Sequence, residues 1–215
     1  MTSGESTLQK AVRYLYLFML SHLAIVLNFM IGCGLFFSLT GWMVVFDIFA
    51  QVKDTTDVIR LKEISLLKNK TWLYGRRFYK VSLAWSLALL ALGFSFMYFM
   101  TSGQWWAFGC ALLSLISIAV LAMTGLIFAY LVVHFPNHSI KDWGQNALAY
   151  TLVKARELIL LSGCLIGLLF ALAKIHLAVL FLLGFGIIGM TYHIGFTYLI
   201  KEQVSLFSKH ADWRY

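Results

Sequence analysis

The chain contains 215 residues, of which 61% are hydrophobic and only 12% are charged. A soluble domain is about 45 to 50% apolar and about 25% charged, so this composition excludes an ordinary water-soluble protein. One proline and three cysteines likewise exclude a proline-rich linker and a disulfide scaffold. The surplus of apolar side chains has to face lipid, and we expect a single all-α integral membrane domain over residues 1–215.

The N-terminal apolar region, residues 14–52, allows two arrangements. Its first 33 residues, 14–46, carry no formal charge, which is too long for one upright helix and short for two. Small residues offer break points at Gly32, Gly34, Ser38 and Gly41. Either one long span precedes an interfacial helix, or a helical hairpin carries the chain out and back, and we favour the hairpin. A cleaved signal peptide has an apolar core of only about 7 to 15 residues, and this stretch is much longer, so we do not expect a cleaved signal peptide here.

The segment 53–80 is strongly basic, with eight of the seventeen Lys and Arg residues of the chain. Basic residues accumulate in cytoplasmic loops, so this segment is predicted to be cytoplasmic. It also contains aromatic residues, which favours an amphipathic helix at the membrane surface and is compatible with a protein docking surface. We therefore take as candidate contacts to lipid or to a partner Trp72, Arg76 and Arg77, together with Trp143 from a second polar segment.

The remainder of the chain contains two long apolar regions. Residues 81–140 are 60 consecutive residues without a charge, about three times the ~20 residues that one helix needs to cross a bilayer. A polar turn at 101–104 divides this region, and Lys174 divides the second region. The predicted spans are residues 82–100, 107–133, 158–173 and 176–200. With the N-terminal region and a tail at 201–215, the sequence predicts a polytopic transmembrane helical bundle of five to six membrane segments with amphipathic cytoplasmic helices.

The distribution of basic residues predicts the orientation of the chain in the membrane. With an N-terminal hairpin, sixteen of the seventeen basic residues lie inside, whereas a single N-terminal span leaves fourteen inside. We therefore expect a multi-pass protein with both termini in the cytoplasm. The net charge of +8 then belongs to the cytoplasmic face, where it attracts anionic membrane lipid, and a nucleic-acid partner is not needed to explain it.

Ionisable residues inside the apolar regions are few, and such residues are functional candidates by default. They are His22, Asp47 and His193, and Asn28 is added as a buried amide. For Asp47 we favour a water-facing position in an interfacial helix over residues 42–47, and we consider a carboxylate within the membrane the less favoured interpretation. The two histidines are interpreted as hydrogen-bonded residues that hold helices together.

The motifs of enzymes and metal sites are absent. His134 and His138 have the i, i+4 spacing of metal ligands, but Pro136 lies between them and no third ligand is near. The cysteines lie in three different apolar stretches, at Cys33, Cys110 and Cys164. We expect no catalytic, cofactor-binding or metal-binding residues and no cofactor. The glycines of the last span, Gly184, Gly186, Gly189 and Gly195, indicate close helix packing.

Residues 70–82, and residues 130–136 followed by 145–148, resemble the YesL-like family of small bacterial membrane proteins, a domain of unknown function. The resemblance extends over nearly the whole chain. It departs at residues 38–41, Ser-Leu-Thr-Gly, where the family usually has a Pro-Ala pair after its first span. Because such proteins are commonly encoded beside sugar ABC permeases, the resemblance implies a role in carbohydrate uptake, and it brings no catalytic residues.

Three functions remain open from the sequence. The leading hypothesis is an accessory or regulatory membrane protein that binds the permease subunits of a carbohydrate ABC transporter. The alternative is a small secondary transporter or channel, in which His22, Asp47 and His193 line a path for a solute or proton. A cell-envelope polymer enzyme is the third hypothesis, and it would require a polar cleft at one membrane face.

Overall fold

A computed structural model describes residues 7–33, 35–36, 38–51, 62–175 and 177–207. All regular secondary structure in these ranges is α-helical. The helices are α1 (Thr7–Ile31), α2 (Ser38–Gln51), α3 (Lys62–Thr101), α4 (Trp105–His134), α5 (Ile140–Val153), α6 (Ala155–Ile175) and α7 (Leu177–Phe207). The predicted all-α fold class is therefore confirmed.

Five of the described helices are long and apolar enough to cross a bilayer, namely α1, α3, α4, α6 and α7. The spans predicted at 82–100, 107–133 and 158–173 fall within α3, α4 and α6, and the span predicted at 176–200 falls within α7 from Leu177 onward. Helix α2 is apolar but has only 14 residues, which corresponds to about 21 Å and is shorter than the ~30 Å hydrocarbon core. The protein is thus a multi-pass helical membrane protein.

The basic segment is not a separate surface helix. From Lys62 onward it forms the first half of α3, which continues without a break to Thr101 over 40 residues. The prediction of an independent interfacial helix before the span at residue 82 was wrong, because a change from basic to apolar side chains does not interrupt backbone hydrogen bonding. Residues 53–61 of that segment, and residues 208–215 of the predicted tail, lie outside the described residues.

Helix α2 lies at the centre of the bundle, where it packs against α1, α3, α4 and α7. Its side chains are buried on almost every face, and Met43, Val44, Val45 and Phe46 are completely inaccessible. A surface helix would instead leave one face exposed. The interfacial helix that we expected over 42–47 is therefore an interior helix.

Glycines of α7 lie where neighbouring helices approach closely. A Cβ atom at Gly186 would lie 2.6 Å from the backbone of Phe18 in α1, and one at Gly195 would lie 2.5 Å from the Leu161 side chain in α6. Gly189 faces Val45 of α2 at a similarly short range. These contacts agree with the packing role predicted for this glycine face.

Helix α5 begins directly after Ser139, which is its N-cap residue. The Ser139 hydroxyl accepts a hydrogen bond from the Asp142 backbone N–H, and the Asp142 carboxylate accepts one from the Ser139 backbone N–H, which forms a capping box. Trp143 is buried on the inner side of this helix, whereas Leu148 is exposed.

Candidate functional site

Asp47, the acidic candidate, forms an ion pair in the interior of the bundle. Its carboxylate lies 2.7 Å from the Lys70 ammonium and accepts a hydrogen bond of 3.4 Å from the Tyr74 hydroxyl, both on α3. The two charged side chains are only 16 to 17% exposed. Asp47 therefore joins α2 to α3, and our expectation of a water-facing carboxylate was wrong.

Asn28 joins three helices through a buried hydrogen-bond network. Its amide nitrogen donates to the Ala24 carbonyl oxygen at 2.8 Å and to the Thr71 hydroxyl at 3.1 Å. Its amide oxygen accepts from the Thr40 hydroxyl at 3.2 Å. Asn28 and the two threonines are fully or almost fully buried. Because the amide donates to acceptors on α1 and α3 and accepts from a donor on α2, its role is to fix these helices.

The two histidine candidates, His22 and His193, lie in separate aromatic surroundings. The ring of His22 is 5.3 Å from that of Phe185, measured between centroids, and its Nδ1 has no hydrogen-bond partner among the described residues. The ring of His193 lies 5.3 Å from His134, 5.7 Å from Tyr130 and 6.3 Å from Phe46. His22 thus lies between α1 and α7, and His193 lies between α7, α4 and α2.

The structure does not bring the three ionisable candidates to a common cavity among the residues that it describes. Asp47 points from α2 toward α3, whereas the adjacent Phe46 contacts His193 on another side of α2. His22 contacts Phe185, which precedes His193 by two turns of α7. Each of the three side chains is therefore part of a different helix contact.

The first half of α3 exposes a basic and aromatic face. An open groove of about 420 Å³ on this face is lined by Asn69, Trp72, Leu73, Arg76 and Arg77. These residues recur at helical spacing, so they occupy the side of α3 opposite the buried positions that contact α1 and α2. We call this surface the basic face of α3. It contains three of the four residues that the sequence suggested as partner or lipid contacts.

The fourth residue, Trp143, supports this face from behind. It is 1% exposed, and its indole nitrogen donates to the Phe135 carbonyl oxygen at 2.9 Å, which fixes the ring. The Arg77 guanidinium lies over the rings of Trp143 and Phe78, at 5.5 Å and 5.2 Å from their centroids. These cation–π contacts hold Arg77 in place. Trp143 therefore positions Arg77 and cannot itself contact a partner.

Arg76 and Arg77 have no ion pair among the described residues. The acidic side chains that the structure describes have other partners: Asp47 pairs with Lys70, Glu157 lies 3.9 Å from Lys154, and Asp142 bonds Ser139. Within the described part of the chain, the basic face consequently presents two guanidinium groups that no carboxylate pairs with.

The histidine pair predicted to be unsuitable for a metal is divided by the end of a helix. Helix α4 ends at His134, whose Nδ1 bonds the Tyr130 carbonyl oxygen at 3.0 Å, and His138 lies beyond Pro136 in the following loop. Within the described ranges, no group of three His, Cys, Asp or Glu residues could hold a metal ion. The three cysteines are free thiols.

A serine cluster between α2 and α3 was not anticipated from the sequence. Ser82 accepts a hydrogen bond of 3.1 Å from the Leu39 backbone N–H, and Ser86 donates one of 3.0 Å to the Leu35 carbonyl oxygen. Ser38 bonds the Ser86 hydroxyl as well. The available signal was the i, i+4 spacing of Ser82 and Ser86 on one face at the start of an apolar span.

The chain matches no family model, no curated protein and no solved structure. The class of protein consequently rests on the helices and their contacts, which define a multi-pass α-helical membrane protein with a tightly connected core.

Proposed function

We propose that the protein is an accessory subunit of the bacterial cell membrane that docks onto the permease of a carbohydrate ABC transporter through the basic face of α3. The observation that carries this proposal is the pair of exposed arginines, which have no ion pair among the residues that the structure describes, beside exposed Trp72. Aromatic and arginine side chains are enriched at the centres of protein interfaces. The resemblance to the YesL-like family supports a sugar permease as the partner.

The basic face lies on the cytoplasmic side in this proposal, with both termini on the same side. Arginine is suited to a docking role because its planar fork binds a carboxylate with two parallel hydrogen bonds. Arg77 is already held against Trp143, so less conformational entropy is lost when a partner binds. The intramembrane polar residues support a scaffold because Asp47 and Asn28 are engaged in helix packing.

The test compares two double variants with the unaltered chain. Affinity purification in mild detergent should recover sugar permease subunits with the unaltered protein. The double variant Arg76→Lys with Arg77→Lys should lose at least tenfold of this recovery, because lysine cannot form the bidentate contact, and the double Ala variant should lose as much. The Lys141→Ala variant is the matched control, since it removes an exposed basic residue from α5.

Membrane insertion of each variant is measured in parallel. If the unaltered protein is recovered alone, under conditions that keep other membrane complexes intact, the accessory function is wrong. If the Lys variant recovers as much permease as the unaltered protein, the arginines serve as lipid anchors, each contributing about 1 kcal/mol of surface attraction, and docking occurs elsewhere.

A further inference from the structure

The groove on the basic face of α3 has the form that receives a second helix. Side chains four residues apart form rows along a helix, and the side chains of a neighbouring helix pack between such rows. One row on this face consists of Asn69, Leu73 and Arg77, and the adjacent row consists of Trp72 and Arg76. All five side chains are exposed, and they are the residues that line the groove of about 420 Å³. The groove is therefore the space between two rows, which is where a packed helix inserts its side chains.

The groove lies on the part of α3 that precedes its apolar segment. Arg76, Arg77 and Lys80 are all exposed, and charged side chains that face the hydrocarbon core are costly. The following residues, 81–101, carry no charge and correspond to about 31 Å of helix, close to the ~30 Å core. The groove ends at Arg77, before this segment begins. A partner can therefore reach the groove from water.

The chemistry of the groove changes along its length. Arg76 and Arg77 lie at one end, one in each row, so a side chain inserted between the rows has a guanidinium group on either side. Trp72 and Leu73 lie four residues earlier, again one in each row, and are 61% and 65% exposed. Four residues correspond to about 6 Å along α3. The groove thus offers two cationic groups at one end and two large apolar side chains one turn away.

The polar groups of the groove are available to a ligand. Among the residues that the structure describes, Asn69, Arg76 and Arg77 form neither a hydrogen bond nor an ion pair through their side chains. The Arg77 guanidinium is already held over the rings of Trp143 and Phe78, so little of its conformational freedom remains to be lost on binding. A carboxylate matches a guanidinium group with two parallel hydrogen bonds.

We infer that the basic face of α3 binds a helix of its partner in which a Glu or Asp lies four residues from a large apolar side chain. The carboxylate enters between Arg76 and Arg77, and the apolar side chain packs against Trp72 and Leu73. The spacing follows because residues i and i+4 of the packed helix are also about 6 Å apart along its axis. This inference rests on the proposed docking function and adds to it the kind of segment that docks.

Three synthetic peptides serve as probes of the groove. Each has about 20 residues on an Ala–Gln background, a length at which a helix can form in water. The first peptide carries Glu and Leu four residues apart, and the second has Gln in place of Glu. The third has the composition of the first, but its Leu is moved by two positions to another side of the helix. Binding of each fluorescent peptide to the whole chain in phosphatidylcholine nanodiscs is measured by fluorescence anisotropy.

The first peptide should bind about fivefold more tightly than the second, because only its carboxylate gains charge-assisted hydrogen bonds. It should also bind about fivefold more tightly than the third, whose Leu no longer reaches the apolar side chains of the groove. The double variant Arg76→Ala with Arg77→Ala should bind the first and second peptides equally, yet keep its preference for the first over the third. Leu73→Gln should show the reverse pattern. Lys141→Ala removes an exposed basic residue of α5 and is the matched control, which should keep both preferences.

Equal binding of the first and second peptides to the unaltered protein, or no binding of any peptide, would overturn the inference. If phosphatidylglycerol then copurifies with the unaltered protein and not with the double Ala variant, the groove is a site for a lipid phosphate. The assay contains no permease, so its failure differs from failure of the proposed function. Preference among the peptides without recovery of a permease leaves the helix-binding groove and changes only the identity of the partner. Recovery of a permease without such preference leaves docking and refutes the acidic helix.

Discussion

Replacement of Gly186 by alanine should weaken the contact between α7 and α1 more than any gain in helix propensity can offset. A Cβ atom at this position would lie 2.6 Å from both the Cα and the carbonyl oxygen of Phe18, whereas ordinary contacts begin at 3.4 Å. The obstacle is backbone, which cannot rotate away like the end of a side chain. The two helices would therefore have to separate by about 1 Å at this point, in an interior that has few voids.

The magnitude follows from two opposing terms. Overpacking in a well-packed interior costs about 1 to 3 kcal/mol, whereas Gly→Ala in the middle of a helix gains about 0.5 to 1 kcal/mol. The net loss expected for Gly186→Ala is about 0 to 2.5 kcal/mol of unfolding free energy, with a midpoint of about 1 kcal/mol. The matched control is Gly167→Ala in α6, where an added Cβ would meet no atom within 4 Å. That variant should be as stable as the unaltered protein or slightly more so.

Both variants can be compared by unfolding in mixed micelles with increasing SDS, followed by circular dichroism. Gly189→Ala adds an internal check, because its new methyl group would meet the Val45 side chain. Combining it with Val45→Ala should restore part of the lost stability, and the double-mutant cycle should show coupling between the two positions. If Gly186→Ala were as stable as Gly167→Ala, the close approach of α1 and α7 would be refuted.

Two further predictions concern polar contacts. Asp47→Ala should lower the unfolding free energy by about 1 to 3 kcal/mol, because it leaves the Lys70 ammonium in a mostly buried position. Glu157→Ala removes a more exposed ion pair and should lower it by at most about 1 kcal/mol. Unfolding in SDS should distinguish the two variants, and equal losses of unfolding free energy would contradict the burial argument. The pKa of Asp142 lies below its ordinary value of 3.8 because the Ser139 hydroxyl and backbone N–H donate to its carboxylate. A lowered folded-state pKa gives stability that is present above the unfolded-state value and is lost as the pH falls through the folded value. Ser139→Ala should move the pKa back toward 3.8 in a carboxyl NMR titration, and an unchanged pKa would contradict the capping box.

The membrane spans could be predicted from the sequence because a charge-free length is a direct consequence of bilayer thickness. The segments 82–100 and 107–133 fall within α3 and α4 for this reason. The continuity of α3 through the basic segment could not be predicted in the same way, since side-chain polarity reports the surroundings and not the backbone. Gly75 is the only glycine between Lys62 and Lys80, and it did not end the helix.

The candidate polar residues could be found from the sequence, but their roles could not. Asp47 is 23 residues from Lys70, and Asn28 is 43 residues from Thr71, so both contacts depend on how the helices pack. No periodicity within one segment encodes such a pair. The arginines of the basic face were easier to identify, because exposure of a basic helix side requires only the local pattern of charged residues.

The polar contacts of α2 explain how a short helix can be held at the centre of a membrane protein. In lipid, apolar side chains gain little from leaving their surroundings, so helix association depends on close packing and interhelical hydrogen bonds. Helix α2 has both: Gly41 allows close contact with Asn28 of α1, and the serine cluster and Asp47 connect its two ends to α3. With α2 fixed at both ends, the first half of α3 is fixed as well. The basic face of α3 is therefore presented by a rigid core, which is the property that a docking surface requires.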